Sequence, residues 1–322
     1  MGAAALQACS GDTGKPAKTK VTFAIDWRAE AEHGGYYQAL ATGEYAKAGL
    51  DVIIRQGGPG SNVPQMLAAG AADLGIGSNS FIVMNMVKEK VPVKAVAAFF
   101  QKDPEVLIAH PDPSLKSIAD LKGRPFLLSD ASVDSFWLWL KAKYGFTDAQ
   151  VRKYNYNLAP FLTDPRAVQQ GYVTAEPWEI EQEGHFKPKV FLLADEGYPS
   201  YAGMVLAPDK MLRDRPEVVK KFLKASAVGW STYLDEDGTP GNDLIRKENP
   251  EMTQAVLDQA RARMISAEIV EGGDQATLGM GAMTDARWAA FFQAGVKQGL
   301  YPADMPYRQG YTLGLVDKGS NI

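Results

Sequence analysis

The sequence predicts an α/β protein of two lobes, each a mainly parallel sheet flanked by helices, followed by a helical C-terminal segment. Three observations carry that expectation. The 322 residues suit about two domains of roughly 150 each. From residue 20 to about 207, short apolar or alternating runs trade places with helical patterns, the order of sheets covered on both faces. Beyond that point helical periodicity dominates, with Pro or Gly at each boundary.

The elements follow in order. Residues 10–19 are small, polar and Pro/Gly-bearing, and read as a linker. KVTFAID at 20–26 alternates as a strand does. Residues 34–50 form a helical pattern with Tyr37, Leu40, Ala41 and Tyr45 on its apolar side and Gly49 at its end. A strand at 51–56 leads through GGPGS into a short helix, and ADLGIGS at 72–78 is a third strand. Residues 81–89 read as helix, with Ser78, Asn79 and Ser80 placed to cap it. Strands are expected at 93–100 and 106–110, then a short helix within 111–123, a strand at 124–129 and a helix over 133–144. A further helix should occupy 146–151, with a strand at 172–175, a helix at 176–183 and a strand at 190–194. The helical segment comprises 216–233, 242–247, 251–264 and 285–298.

Composition excludes several classes. A net charge of −4 and a pI near 5.6 give no electrostatic basis for nucleic-acid binding. After residue 20 no apolar run reaches the ~18 residues that span a bilayer. Cys9 is the only cysteine, so neither a disulfide nor a cysteine-based metal site can form within the chain. Its setting, LQAC followed by a polar tether, is similar to a bacterial lipobox, although the basic and most of the apolar part of such a signal are missing. Residues 1–19 are accordingly expected to be a lipoprotein signal remnant and linker, with lipid on Cys9. No G-x-S-x-G elbow, phosphate-binding G-x-x-x-x-G-K motif or closely spaced histidine pair is present, and no catalytic residue, metal or cofactor is assigned.

In open α/β sheets ligands sit beyond the carboxyl ends of the strands. Here those ends are DW after the first strand, GGPGS after the second, GSNS after the third and SDAS in the middle block. Trp27 closes a strand next to Asp26 and is placed at the site as a stacking surface. His33 precedes a Gly-Gly helix start and can donate to a ligand or accept from it. Of the tyrosine pair, Tyr36 is placed at the rim and Tyr37 in the core, since adjacent helical positions diverge by about 100°. Ser78, Asn79 and Ser129 offer hydroxyl, amide and backbone donors at helix starts. Trp178 and Tyr201 are further stacking candidates. Glu176 opens a helix before Pro177, where it can serve the helix dipole or accept two N–H donors from an amino-bearing heterocycle. Glu30 and Glu32 read as solvated loop carboxylates, with Glu30 able to reach the cleft but ranked below Glu176.

The ordered segments Asp26-Trp27, His33-Gly34-Gly35-Tyr36-Tyr37, Gly43-Glu44-Tyr45…Gly49-Leu50-Asp51-Val52 and GYVTAEP at 171–177 resemble the solute-binding proteins of ABC importers. They are nearest the branch holding thiamine-pyrimidine-precursor binders and yeast-type pyrimidine synthases, a branch related to sulfonate, taurine and nitrate binders. The resemblance implies a two-lobed periplasmic-binding-protein fold of type II kind. Residues 20–100 with 205–322 would form lobe one, and 101–204 lobe two. A hinged cleft would close on a solute. It further implies a periplasmic or cell-surface, lipid-anchored monomer that serves ABC permease and ATPase subunits. The implied solute is a pyrimidine or thiamine-precursor-like heterocycle. The synthases use an iron-associated cysteine cluster, which a chain with one cysteine does not supply. The alternative solute is a sulfonate-type anion, for which Arg28 and Arg55 are the candidate partners. Arg28, Glu30 and Glu32 depart from the branch's usual loop, which makes this segment the place where ligand identity is decided.

Overall fold

The computed structural model describes residues 17–316, so Cys9 lies outside the described residues. Ten strands form two five-stranded sheets. β1 (Thr19–Ala24), β2 (Leu50–Arg55), β3 (Leu74–Asn79), β4 (Val93–Phe100) and β10 (Ala202–Pro208) build the first, in the order β2-β1-β3-β10-β4. β5 (Glu105–Ala109), β6 (Phe126–Leu128), β7 (Val151–Lys153), β8 (Val168–Tyr172) and β9 (Lys189–Leu192) build the second, in the order β7-β6-β8-β5-β9. β1 runs parallel to β2 and β3, whereas β10 opposes both β3 and β4. In the second sheet β6 runs parallel to β7 and β8, and β5 opposes β8 and β9. Each sheet is therefore mainly parallel with one reversed strand. The reversed strand is in each case the first that the chain enters after crossing from the other sheet.

Burial follows position. β2, at an edge, alternates buried Leu50, Val52 and Ile54 with exposed Asp51, Ile53 and Arg55. β5, inside the second sheet, is buried throughout, and EVLIA is correspondingly a continuous apolar run after its glutamate.

Several elements differ from the sequence expectation for local reasons. The helix expected over 34–50 is two, Gly34–Ala41 and Glu44–Lys47, because Gly43 takes a left-handed φ of 76° between them. In place of a helix over 146–151, a short turn (Asp148–Gln150) feeds β7, whose three residues are too few to show a period. β8 lies at 168–172 rather than 172–175. Its centre holds Gln169 and Gln170, both buried, which masked the strand.

The Gly34–Ala41 helix packs on the long Pro216–Asp235 helix at close range. A Cβ at Gly34 would stand 2.2 Å from Tyr233, and one at Gly35 2.2 Å from Trp230. The Gly-Gly pair thus serves helix packing rather than a ligand. This contact corrects the expectation for Tyr36. Its side chain is 0% exposed, with its ring 4.7 Å from that of Phe23 and 5.7 Å from that of Trp230, so it belongs to the core and not to the rim. Tyr201 is corrected likewise: it is 0% exposed and bonded through its hydroxyl to Asp274, with the Arg287 guanidinium 4.0 Å over its ring.

Candidate functional site in the cleft between the sheets

A cavity of about 960 Å³ opens between the two sheets. All four carboxyl-end rims contribute to its wall: Asp26 and Trp27, Gly58–Ser61, Ser78 with Asn79, and Ser129 with Ser132. Phe100, Glu105 and Gly203 line it near the two crossings, and Gly171, Tyr172 and Glu176 line it from the second sheet.

Asp26 organises the first rim. Ser78 Oγ donates to Asp26 Oδ2, and His33 Nε2 lies 3.8 Å from Asp26 Oδ1. His33 is 2% exposed, lines the cavity, and its Nδ1 has no hydrogen-bond partner. Asn79 spends its side-chain oxygen on capping, accepting from the backbone N–H of Phe81 at 3.1 Å and Ile82 at 3.4 Å. Ser129 donates its N–H to Gln170 Oε1 at 2.5 Å and exchanges a hydroxyl bond with Ser132 at 2.9 Å. Glu176 Oε2 accepts from the Tyr172 N–H at 2.8 Å. Gly171 is required beside it, since a Cβ there would stand 2.7 Å from Glu176 Oε2.

The structure therefore brings Trp27, His33, Ser78, Asn79, Ser129 and Glu176 together on one cavity. Trp178 is partly buried on the same helix as Glu176 but does not reach the cavity wall, and Tyr36 and Tyr201 are in the core. Glu30, for which the cleft was the lower-ranked expectation, and Glu32, expected in solvent, both line the cavity, and Glu32 accepts from the Thr174 hydroxyl of the second sheet's side. Arg28 instead pairs at the surface with Glu251 at 2.6 Å. Sequence reasoning also passed over Tyr156. Its ring lies 5.1 Å from that of Trp27, so the two reach each other across the cleft, and it holds a left-handed φ of 57°.

The electrostatics are one-sided. Asp26, Glu30, Glu32, Glu105 and Glu176 all face the cavity, whereas no lysine or arginine is among its described lining residues. Burial, then Glu32 and Asp26, push the Glu30 carboxyl well above its ordinary range. Burial, then Asp103 and Glu176, do the same to Glu105. Burial raises Glu176 to about 7, against the pull of the Tyr172 N–H. Such a wall is rich in carboxyl oxygens and brings no fixed positive charge among its described lining residues. It offers an anion little, and it suits a ligand that presents N–H or O–H groups around an aromatic body.

Two sheets joined by two crossings around such a cleft define the two-lobed solute-binding fold. The sulphonate-binding protein SsuA of Escherichia coli superposes with a TM-score of 0.65 over 96% of each chain, at 14% identity. Within that fold the chain belongs to the NMT1/THI5-like family, whose model matches residues 30–237. Curated relatives include the riboflavin-binding protein RibY of Chloroflexus aurantiacus, 24% identical over 99% of this chain and 92% of that protein. The formylaminopyrimidine-binding protein of Halalkalibacterium halodurans is 24% identical over 76% of each chain. A pyrimidine phosphate synthase of Saccharomyces cerevisiae is 22% identical over 71% of this chain and 74% of its own.

Proposed function

We propose that this protein captures a small planar heterocycle, of the pyrimidine or flavin kind, outside the cytoplasm and delivers it to an ABC importer. The acid-lined cavity, with no lysine or arginine among its described lining residues, carries the reading. It favours donor-bearing heterocycles over the sulfonate-type alternative, which would need cationic partners that Arg28, engaged at the surface with Glu251, does not bring to the wall. The names of the riboflavin- and formylaminopyrimidine-binding relatives support the same class. A volume near 960 Å³ lies at the upper end for small-molecule sites and leaves room for more than one ring.

In this reading the first sheet with the C-terminal helices is one lobe and the second sheet the other. They close about the crossings at 101–104 and 193–201, and the closed form is what the permease recognises. Lipid on Cys9 would tether the protein at the membrane. No turnover is assigned. The chain's single cysteine cannot form the cysteine cluster that resemblance to the synthases implies for their chemistry.

A thermal-shift screen against riboflavin, aminopyrimidines, sulfonates and small carboxylates tests this. Ligand at 100 times its dissociation constant adds about 2.7 kcal/mol of stability. Stabilisation by riboflavin or an aminopyrimidine, without consumption of the ligand, is expected. Stabilisation by sulfonates alone would overturn it.

A further inference from the structure

Glu105 differs from the other acids of the cavity wall in its place and in its lack of a partner. It opens β5, immediately beyond the first crossing, and its side chain is 9% exposed. Its backbone is fully engaged: the N–H donates to Asp103 Oδ1 at 3.2 Å, and the carbonyl accepts from the Leu193 N–H at 3.0 Å. The carboxylate is not. Glu105 lines the cavity, and its Oε1 is buried with no partner. The charges that act on it are both acidic, Asp103 and Glu176. A buried carboxylate without a donor is destabilising unless something supplies one.

Glu176 follows β8, the strand that pairs with β5. Tyr172, paired in register with Glu105, gives its N–H to Glu176. Glu176 is already partnered, so it can take one ligand edge while keeping its position. Glu105 has its acceptor wholly free.

Building on the heterocycle reading above, we propose that Glu105 accepts from a second donor-bearing part of the ligand. The ligand class is then a heterocycle that carries, besides the ring edge meeting Glu176, a hydroxyl or amino substituent directed at the crossings. A flat ring with donors on one edge only leaves Glu105 unpaired and binds weakly.

The test compares probe pairs that differ only in that substituent. Riboflavin is set against lumiflavin, which keeps the tricycle and lacks the hydroxyl chain. A hydroxymethyl-aminopyrimidine is set against its methyl analogue. Affinities are measured for the wild-type chain and for Glu105→Gln and Glu105→Leu. For the donor-bearing member of whichever pair binds, Glu105→Leu should weaken binding about tenfold or more, with Glu105→Gln in between, because the amide oxygen still accepts without the charge. For the member lacking the donor, both variants should bind as the wild type does. The ligand-free melting temperature should hold or rise in both variants, since an unpaired buried carboxylate is removed. Equal losses for both members, no loss for either, or a marked fall in melting temperature would overturn the proposal while leaving the heterocycle reading intact. Wild-type protein that binds neither pair would remove both readings together. Should Glu105→Leu not fold, the Gln variant carries the comparison alone, with about a threefold or greater loss expected on the donor-bearing probe only.

Discussion

Replacing Glu176 by glutamine should weaken ligand binding and, in the same molecule, stabilise the empty protein above neutral pH. The carboxyl has an ordinary value of 4.5 and is raised to about 7 in the folded chain, chiefly by burial. Because the folded value lies above the unfolded one, the folded chain holds a proton that the unfolded chain has already lost between those limits. The associated stability is complete below about 4.5 and is lost as pH climbs through about 7. At 1.36 kcal/mol per pH unit, the span corresponds to about 3 kcal/mol as an upper bound. Glutamine retains an oxygen for the Tyr172 N–H, 2.8 Å away, and carries no charge to desolvate. The variant should therefore match the wild type near pH 4.5 and exceed it at pH 8 by about 2–3 kcal/mol, several degrees in melting temperature. Melting curves of both proteins from pH 4.5 to 8, without ligand, read this directly. Riboflavin and aminopyrimidine titrations at pH 8 read the loss of the carboxylate acceptor. Parallel melting profiles across that range would refute the burial argument, and unchanged affinity would refute the contact.

Three further outcomes follow from the geometry. Trp27→Ala and Tyr156→Ala should each lower ligand affinity by about tenfold, some 1.4 kcal/mol, because the pair forms the aromatic face of the cleft; isothermal titration measures it. Arg287→Ala should cost about 2–3 kcal/mol in denaturant melts, since its guanidinium donates to the carbonyls of Gln101, Pro199 and Ser200 and so fastens both crossings together. Tyr36→Phe should leave ligand affinity unchanged, because the residue lies wholly in the core beside Trp230 and away from the cavity wall; a fall in affinity would return Tyr36 to the rim.

The site was legible in the sequence wherever the strand that carries it runs with its neighbours. DW, GGPGS, GSNS and SDAS all follow parallel strands, and all four line the cavity. Glu105 and Gly203 escaped because β5 and β10 run the other way, so it is their amino ends that reach the cleft, and a rule about carboxyl ends passes over them. Glu32 escaped for a different reason. Charged residues in a loop are normally solvated, and here Glu32 is buried with the hydroxyl of Thr174, just beyond β8, bonded to it. Tyr36 was misplaced because the divergence of adjacent helical positions leaves only one tyrosine of the pair inward when a single packed face is assumed, whereas both are buried. Trp230, whose ring packs on that of Tyr36, lies about two hundred residues away. Tyr156 had no local signal at all, being one of two tyrosines in a polar loop.

The reversal of β5 and β10 has a cause, and it ties recognition to motion. β4 ends at the cleft, where Phe100 lines the cavity, so a chain that crosses there enters the second sheet at its cleft edge. It must then run away from the cleft, against strands that end at it. The same holds on return, where β10 starts at Ala202 beside the cavity-lining Gly203. Two crossings at one edge thus force one reversed strand per sheet, and they set the first residues of those strands beside the pivot. Gln101 and Asp103 lie in the first crossing and Glu105 directly follows it. Arg287 bonds to the Gln101 carbonyl and, through Ser200, to the second crossing. A residue so close to the pivot moves least when two lobes close. In the proposed closure, contacts made at Glu105 would form in the open state, whereas Trp27 and Tyr156, which meet from opposite sheets, would complete theirs only when the lobes come together. On that proposal the acid at the pivot selects a ligand and the aromatic pair retains it.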